Sequence, residues 1–309
     1  MSAYQAPWWL PGGHLQTIYA ALAPAPRIDW RRERWDTPDG DFIDLDWAGT
    51  DGPLLAIFHG LEGSSNSPYA RAITARARAQ GWRCVVPHFR GCSGELNRLP
   101  RAYHSGDSAE IDWILSRLGA RYAASGVLSA VGISLGGNAL LKLLGEKGAA
   151  MQLQKAVAVS APLDLAAAGR ALDAGVSREI YTRIFLRSLK KKTFEKIRRK
   201  SITVDALRLQ KARTFWEFDD AVTAPLHGFQ GADDYWARSS SAPWLSRIRV
   251  PTLVLNARND PFMPEAALDA IGEVPPNVVL EFPRSGGHAG FPGRCGWLSR
   301  RVLDFLSAP

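Results

Sequence analysis

The sequence predicts an α/β fold: a mostly parallel sheet with helices on both faces. Two observations predict it. Short β-rich runs alternate with helix-length stretches along the chain. Several runs are also near-continuously apolar, Leu54-Leu55-Ala56-Ile57-Phe58 and Thr252-Leu253-Val254-Leu255 most clearly, as befits strands covered on both faces. The length of 309 residues and hydrophobic content of 46% suit one large core. Residues 1–309 are therefore expected to form a single domain.

Taken in order, strands are expected at Asp41–Trp47, Leu54–Phe58, Cys84–Pro87, Val127–Gly132, Ala156–Ser160, Thr252–Leu255 and Val278–Phe282. Helices are expected at Pro68–Gln80, Gly106–Tyr122, Leu135–Gly145 and Trp297–Leu306. Residues 163–242 break the alternation: they read as helical and lack a strand run. We expect them to fold over the sheet edge as an insertion, a lid. Within it Ile180, Ile184, Leu186 and Leu189 could share one side of a helix.

Composition excludes several classes. Three cysteines, Cys84, Cys92 and Cys295, are too few and too scattered for a disulfide framework or a zinc site. Neither a metal nor another cofactor is expected. No signal peptide and no apolar run of about 20 residues is evident, so a cytoplasmic protein is expected. The net charge of +8 is concentrated. Nine basic residues lie between Arg183 and Lys200 against Glu195 alone, and the rest of the chain is balanced. Residues 183–200 suit either a solvated helix face or peripheral contact with an anionic membrane. No nucleic-acid partner is expected.

The chemistry starts at Gly132-Ile133-Ser134-Leu135-Gly136, which fits G-x-S-x-G. An apolar strand leads into the motif and a helix-like run follows, as a nucleophile elbow requires. A serine hydroxyl needs a base to take its proton. In chain order Asp260 follows the strand Thr252–Leu255, and His288 lies in a Gly-rich loop after Val278–Phe282. Asp260 would orient the imidazole and His288 would be the general base. Asp219, Asp220 and Glu265 compete with Asp260. The oxyanion needs two donors. The backbone N–H of Leu135 is one, and that of Leu61, after the strand ending at Phe58, is the other. Cys92 has no elbow context and is discounted. His104, Ser105 and Asp107 would cap a helix or line the pocket, whereas Asp219, Asp220 and His227 would support the insertion.

These residues resemble the α/β-hydrolase superfamily, and the resemblance spans most of the chain. Trp9-Leu10-Pro11-Gly12-Gly13-His14-Leu15-Gln16-Thr17-Ile18, His59-Gly60-Leu61-Glu62-Gly63-Ser64-Ser65, Phe89-Arg90-Gly91-Cys92-Ser93-Gly94-Glu95 and Phe215-Trp216-Glu217-Phe218-Asp219-Asp220 look like its YheT-like branch. The resemblance implies an α/β-hydrolase fold with Ser134, Asp260 and His288 as the triad. It also implies kinship with bacterial esterases and with eukaryotic membrane-associated lipases and phospholipases. The expected function is thus a serine hydrolase of small-molecule carboxylic esters. A lipid-directed monoacylglycerol lipase or phospholipase is the alternative, and a non-catalytic binding protein on the same scaffold is the third reading.

Overall fold

The computed structural model describes residues 4–122, 127–293 and 296–308. Cys295 lies outside them. Eight strands form one sheet: β1 (Arg31–Asp36), β2 (Phe42–Ala48), β3 (Leu54–Phe58), β4 (Arg83–Pro87), β5 (Leu128–Ile133), β6 (Ala156–Val159), β7 (Thr252–Leu255) and β8 (Val278–Glu281). Their spatial order is β1-β2-β4-β3-β5-β6-β7-β8. The β1/β2 and β2/β4 pairs are antiparallel, and from β4 to β8 every pairing is parallel.

Alternation along β3 explains the layers. Leu54, Ala56 and Phe58 pack into one core with helix α3 (Ser108–Tyr122) and helix α4 (Leu135–Lys147). Leu55 and Ile57 point the other way, onto helix α2 (Pro68–Ala79) and the last helix, Trp297–Ser307. Each such fully buried Leu or Ile contributes about 1.5–3 kcal/mol. The apolar run thus has no polar face because both its faces are covered.

Strand β1 and helix α1 (Gly12–Leu22) are among the elements that escape the sequence pattern. Strand β1 reads Arg-Arg-Glu-Arg-Trp-Asp and buries only Trp35. As an edge strand it is held by side chains on β2: Arg32 pairs with Asp46 at 2.8 Å and Arg34 with Asp44 at 2.7 Å. Helix α1 opens at a Pro-Gly-Gly run that reads as a turn.

Between β6 and β7 the chain is helical, from α5 (Leu165–Leu172) to the 3₁₀ turn Ala242–Arg247. Its long helix Arg183–Arg198 follows directly on the π-helical turn Arg178–Thr182. Its orientation differs from the sequence expectation. Leu186 is buried, but Ile184 is 63% exposed. Three of the lysines turn inward instead. Lys190 donates to the carbonyls of Gln210 and Ala212, Lys192 pairs with Glu62, and Lys196 donates to the carbonyls of Leu99, Pro100 and Arg101. The π turn and these internal acceptors rotate the helix away from a simple apolar-in register. Among the described residues, no helix is long and apolar enough to cross a membrane.

Candidate active site

Ser134 sits at the corner between β5 and α4 with φ +53° and ψ −121°. Side-chain-bearing residues rarely hold that region, and it stores strain of order 1–3 kcal/mol. Gly136 makes the corner possible. A Cβ there would lie 2.6 Å from the carbonyl oxygens of both Phe58 and His59, so only glycine lets α4 start this close to β3.

The structure brings Ser134, His288 and Asp260 together. Ser134 Oγ lies 2.8 Å from His288 Nε2. His288 Nδ1 lies 2.9 Å from Asp260 Oδ2 and 3.1 Å from its Oδ1. The Asp260 carboxylate is fully buried, and its Oδ1 also accepts the Phe262 N–H at 2.8 Å. The Phe262 ring lies against the imidazole with centroids 3.9 Å apart. Three competing carboxylates are spent elsewhere. Asp219 accepts from Thr223 and from Trp236 Nε1, Asp220 pairs with Arg208, and Glu265 pairs with Arg258.

The loop that carries His288 is braced by α1. The Thr17 hydroxyl accepts the His288 N–H at 2.8 Å and donates to the Gly13 carbonyl at 2.7 Å. Gln16 Oε1 accepts the Gly286 N–H at 2.8 Å, and the Ser160 hydroxyl accepts the Ala289 N–H at 2.9 Å. Asn259 Oδ1 accepts the Gly287 N–H at 3.1 Å. Sequence reasoning gave no role to Gln16, Thr17, Asn259 or Ser160. The signal was the run Trp9–Ile18, noted only as a family-like motif.

Leu61 and Leu135 both line the cavity beside Ser134 and His288. Leu135 is the first residue of α4, so its N–H has no intrahelical acceptor. Around Leu61 the flanking amides are already taken: Gly60 N–H by the Tyr69 hydroxyl and Glu62 N–H by the Tyr103 hydroxyl, each at 2.9 Å. No hydrogen bond engages the Leu61 N–H among the described residues. His59 stiffens the turn. It donates from Nδ1 to the Gly60 carbonyl and accepts the Phe89 N–H at Nε2. Burial lowers its pKa to about 3, so the ring is neutral.

The cavity over Ser134 measures about 160 Å³. Leu165, Leu172, Phe185, Leu189 and Phe215 give it apolar walls from the helical segment. Its polar lining includes His104, His227 and Asp219. The two imidazoles lie with ring centroids 4.5 Å apart, tilted 58° to one another, and burial lowers the pKa of His227 to about 3. His227 Nε2 has no hydrogen-bond partner among the described residues. Burial pushes the Asp219 carboxyl up to about 7. The Ser105 N–H donates to the Tyr235 hydroxyl at 2.9 Å, and Asp107 pairs with Arg101. Burial also raises the Cys92 thiol to about 12, the opposite of an activated nucleophile.

A family model described as the alpha/beta hydrolase fold matches residues 53–293. The chain belongs to the α/β-hydrolase family. Within it the chain falls in the YheT-like branch and is a hydrolase of the esterase and lipase type. YheT of Escherichia coli, named provisionally as an esterase, is 39% identical over 95% of this chain and 90% of its own length. The phospholipase ABHD3 of Homo sapiens is 28% identical over 99% of this chain and 78% of its own length. A monoacylglycerol lipase of Saccharomyces cerevisiae is 28% identical over 89% of this chain and 63% of its own. Among solved structures, the Pyrococcus furiosus esterase Pf2001 is similar in fold, with a TM-score of 0.61 and 14% identity. That match covers 90% of this chain and 91% of the other.

Proposed function

We propose that this hydrolase cleaves carboxylic esters through an acyl-enzyme on Ser134. The observation that carries the reading is the continuous chain of contacts from Ser134 Oγ through His288 to the buried Asp260. His288 Nε2 takes the hydroxyl proton as Oγ attacks the acyl carbon. The tetrahedral oxyanion is held by the N–H groups of Leu61 and Leu135. His288 then returns the proton to the departing alcohol. Water, deprotonated by the same imidazole, attacks the acyl-enzyme and releases the acid. Asp260 fixes the tautomer that presents Nε2 to the serine and stabilises the imidazolium. No cofactor enters any of these steps. A fluorophosphonate probe should label the wild-type protein and leave Ser134→Ala unlabelled. Equal labelling of both would end the proposal.

The lipid-directed reading is favoured by one further feature, the apolar wall contributed by Leu165, Leu172, Phe185 and Leu189. Such a wall suits an acyl chain, and two of the relatives are named as a phospholipase and a monoacylglycerol lipase. Residues 163–242 would then be the lid that covers that chain, and the sheet with this insertion a single domain. In a series of esters of increasing acyl length, kcat/KM should rise beyond short chains. A flat series would remove the lipid reading while leaving ester hydrolysis in place.

A further inference from the structure

Helix α1 is amphipathic in the reverse sense. Its inward side carries Gln16 and Thr17, both buried and both bonded to the loop of His288. Its outward side carries Leu15, Tyr19 and Leu22, spaced i, i+4, i+7 and so aligned in one stripe. Leu15 is 49% exposed, Tyr19 41% and Leu22 79%. Just ahead of the helix, Trp8 is 92% exposed, and Trp9 packs its ring edge-on against Tyr19 at 5.2 Å. A contiguous apolar face of this kind on a water-soluble surface marks an interaction site.

The surroundings say what covers it. Residues 1–26 contain no charged side chain, so pressing this face against another phase desolvates no ion. The next residue, Arg27, is exposed. On the other side, His14 stacks on Tyr181 with the rings 9° from parallel. Tyr181 lies in the π turn that leads into Arg183–Arg198. Around that turn Val176 and Ile184 are exposed, together with Arg178, Arg183 and Arg187; Glu179 is the one acid between residues 175 and 187. The face is thus aromatic at its centre and basic at its rim. Tryptophan and tyrosine settle at the boundary between acyl chains and headgroups, and a basic rim attracts anionic headgroups. A second copy of the chain fits less well, because a twofold contact through this patch would bring two basic rims together.

We propose that the outer face of α1, with Trp8, Trp9, Leu15, Tyr19 and Leu22, docks this hydrolase on an anionic lipid surface. The docking helix is the one that braces His288, so the reacting groups sit directly behind the contact. The inference deepens the lipid-directed reading of the same site. Vesicle binding is read without turnover, so its failure leaves the ester chemistry standing.

The test is co-sedimentation of the full chain with phosphatidylcholine vesicles, with and without phosphatidylglycerol. Wild-type protein should partition onto the anionic vesicles. Leu15→Ser, Tyr19→Ser and Leu22→Ser combined should weaken partitioning at least about tenfold through lost apolar burial. Arg183→Glu with Arg187→Glu should erase the preference for phosphatidylglycerol. Circular dichroism checks that the variants fold, and Trp8→Ser, ahead of the helix, supplies a variant that leaves α1 intact. Hydrolysis of a short soluble ester should be unchanged in all of them. Absence of wild-type binding to anionic vesicles would overturn the proposal, as would binding at the wild-type level by both the triple variant and Trp8→Ser. A wild-type dimer in light scattering that the triple variant converts to monomer would assign the face to a second copy instead.

Discussion

Lys192 Nζ lies 2.7 Å from Glu62 Oε1, a contact spanning 130 residues of sequence. It ties the helix that walls the cavity to the turn that carries the Leu61 N–H. Glu62 holds a left-handed backbone conformation, φ +55°. Its carboxylate also accepts from the Tyr103 hydroxyl at 2.8 Å and from the Ser188 hydroxyl. Ser188 and Lys192 are one helical turn apart, so a single face of the helix grips a single carboxylate. A strained residue persists only where its surroundings over-determine it.

Breaking this grip should therefore loosen the turn that carries the Leu61 N–H, the proposed oxyanion donor. Glu62→Gln leaves the partly buried Lys192 ammonium without its counter-charge, and Lys192→Met does the reverse. The loss of one partner in such a pair costs about 1–3 kcal/mol. We expect kcat to fall roughly tenfold or more in either variant, with KM changed less, and the double variant to lose less than the sum. Lys192→Arg, which keeps the charge, should recover most of the rate. Steady-state kinetics on a soluble ester decide it: a change in KM alone would assign Glu62 to the cavity wall only.

Much of this arrangement is legible in the chain, for a physical reason. Parallel strands covered on both faces must be apolar runs, and β3, β5, β6 and β7 read out as such. Residues just past their carboxyl ends share one rim of the sheet, so Ser134, from its G-x-S-x-G motif, and Asp260 and His288, from their order along the chain, could be named as candidates. What brackets them could not. Gln16 and Thr17 reach the loop of residues 286–288 across about 270 residues of sequence, and polar residues facing inward carry no periodic signal. Strand β1 escaped because its pairing depends on Arg–Asp contacts with β2 rather than on apolar burial.

Ser134→Ala should abolish turnover apart from a residue of binding and oxyanion stabilisation, a loss of several orders of magnitude in kcat. Asp260→Asn should cost about 10⁴ in kcat through the wrong imidazole tautomer, with the fold intact. Tm and kcat measured together check this. A lowered Tm with near-normal kcat in Asp260→Asn would make Asp260 a structural carboxylate.

Stability should depend on pH through Asp219. Its carboxyl titrates at about 7 in the folded chain because burial disfavours the anion, against about 4 when exposed. Between those values the folded state holds a proton that the unfolded state has lost. Raising the pH through that window therefore favours unfolding, and the Asp219 contribution is fully present only below it. Asp219→Asn cannot ionise and should flatten this part of the profile. Other buried acids shift stability too, so the observable is the wild-type-minus-variant difference in Tm across the window. A difference that stays constant would show that Asp219 is ionised when folded.

Gly13 makes the most demanding prediction about α1. A Cβ at this position would overlap the carbonyl oxygen of Asn259, one residue before Asp260. Backbone cannot rotate out of the way as a side chain can, so Gly13→Ala must push α1 and the 259–260 turn apart. That displacement strains two links at once: the Gly13 carbonyl that receives the Thr17 hydroxyl, and the Thr17 oxygen that receives the His288 N–H. The imidazole would then meet Ser134 in a looser geometry, and small misplacements of reacting groups cost up to about 10²-fold in rate. Gly13→Ala should accordingly lower kcat by roughly ten- to a hundredfold, with fluorophosphonate labelling slowed in parallel. Thr17→Val, which deletes the hydroxyl without moving backbone, should reproduce part of that loss, whereas Thr17→Ser should not. Normal labelling rates in both Gly13→Ala and Thr17→Val would mean that the His288 loop holds its position without α1.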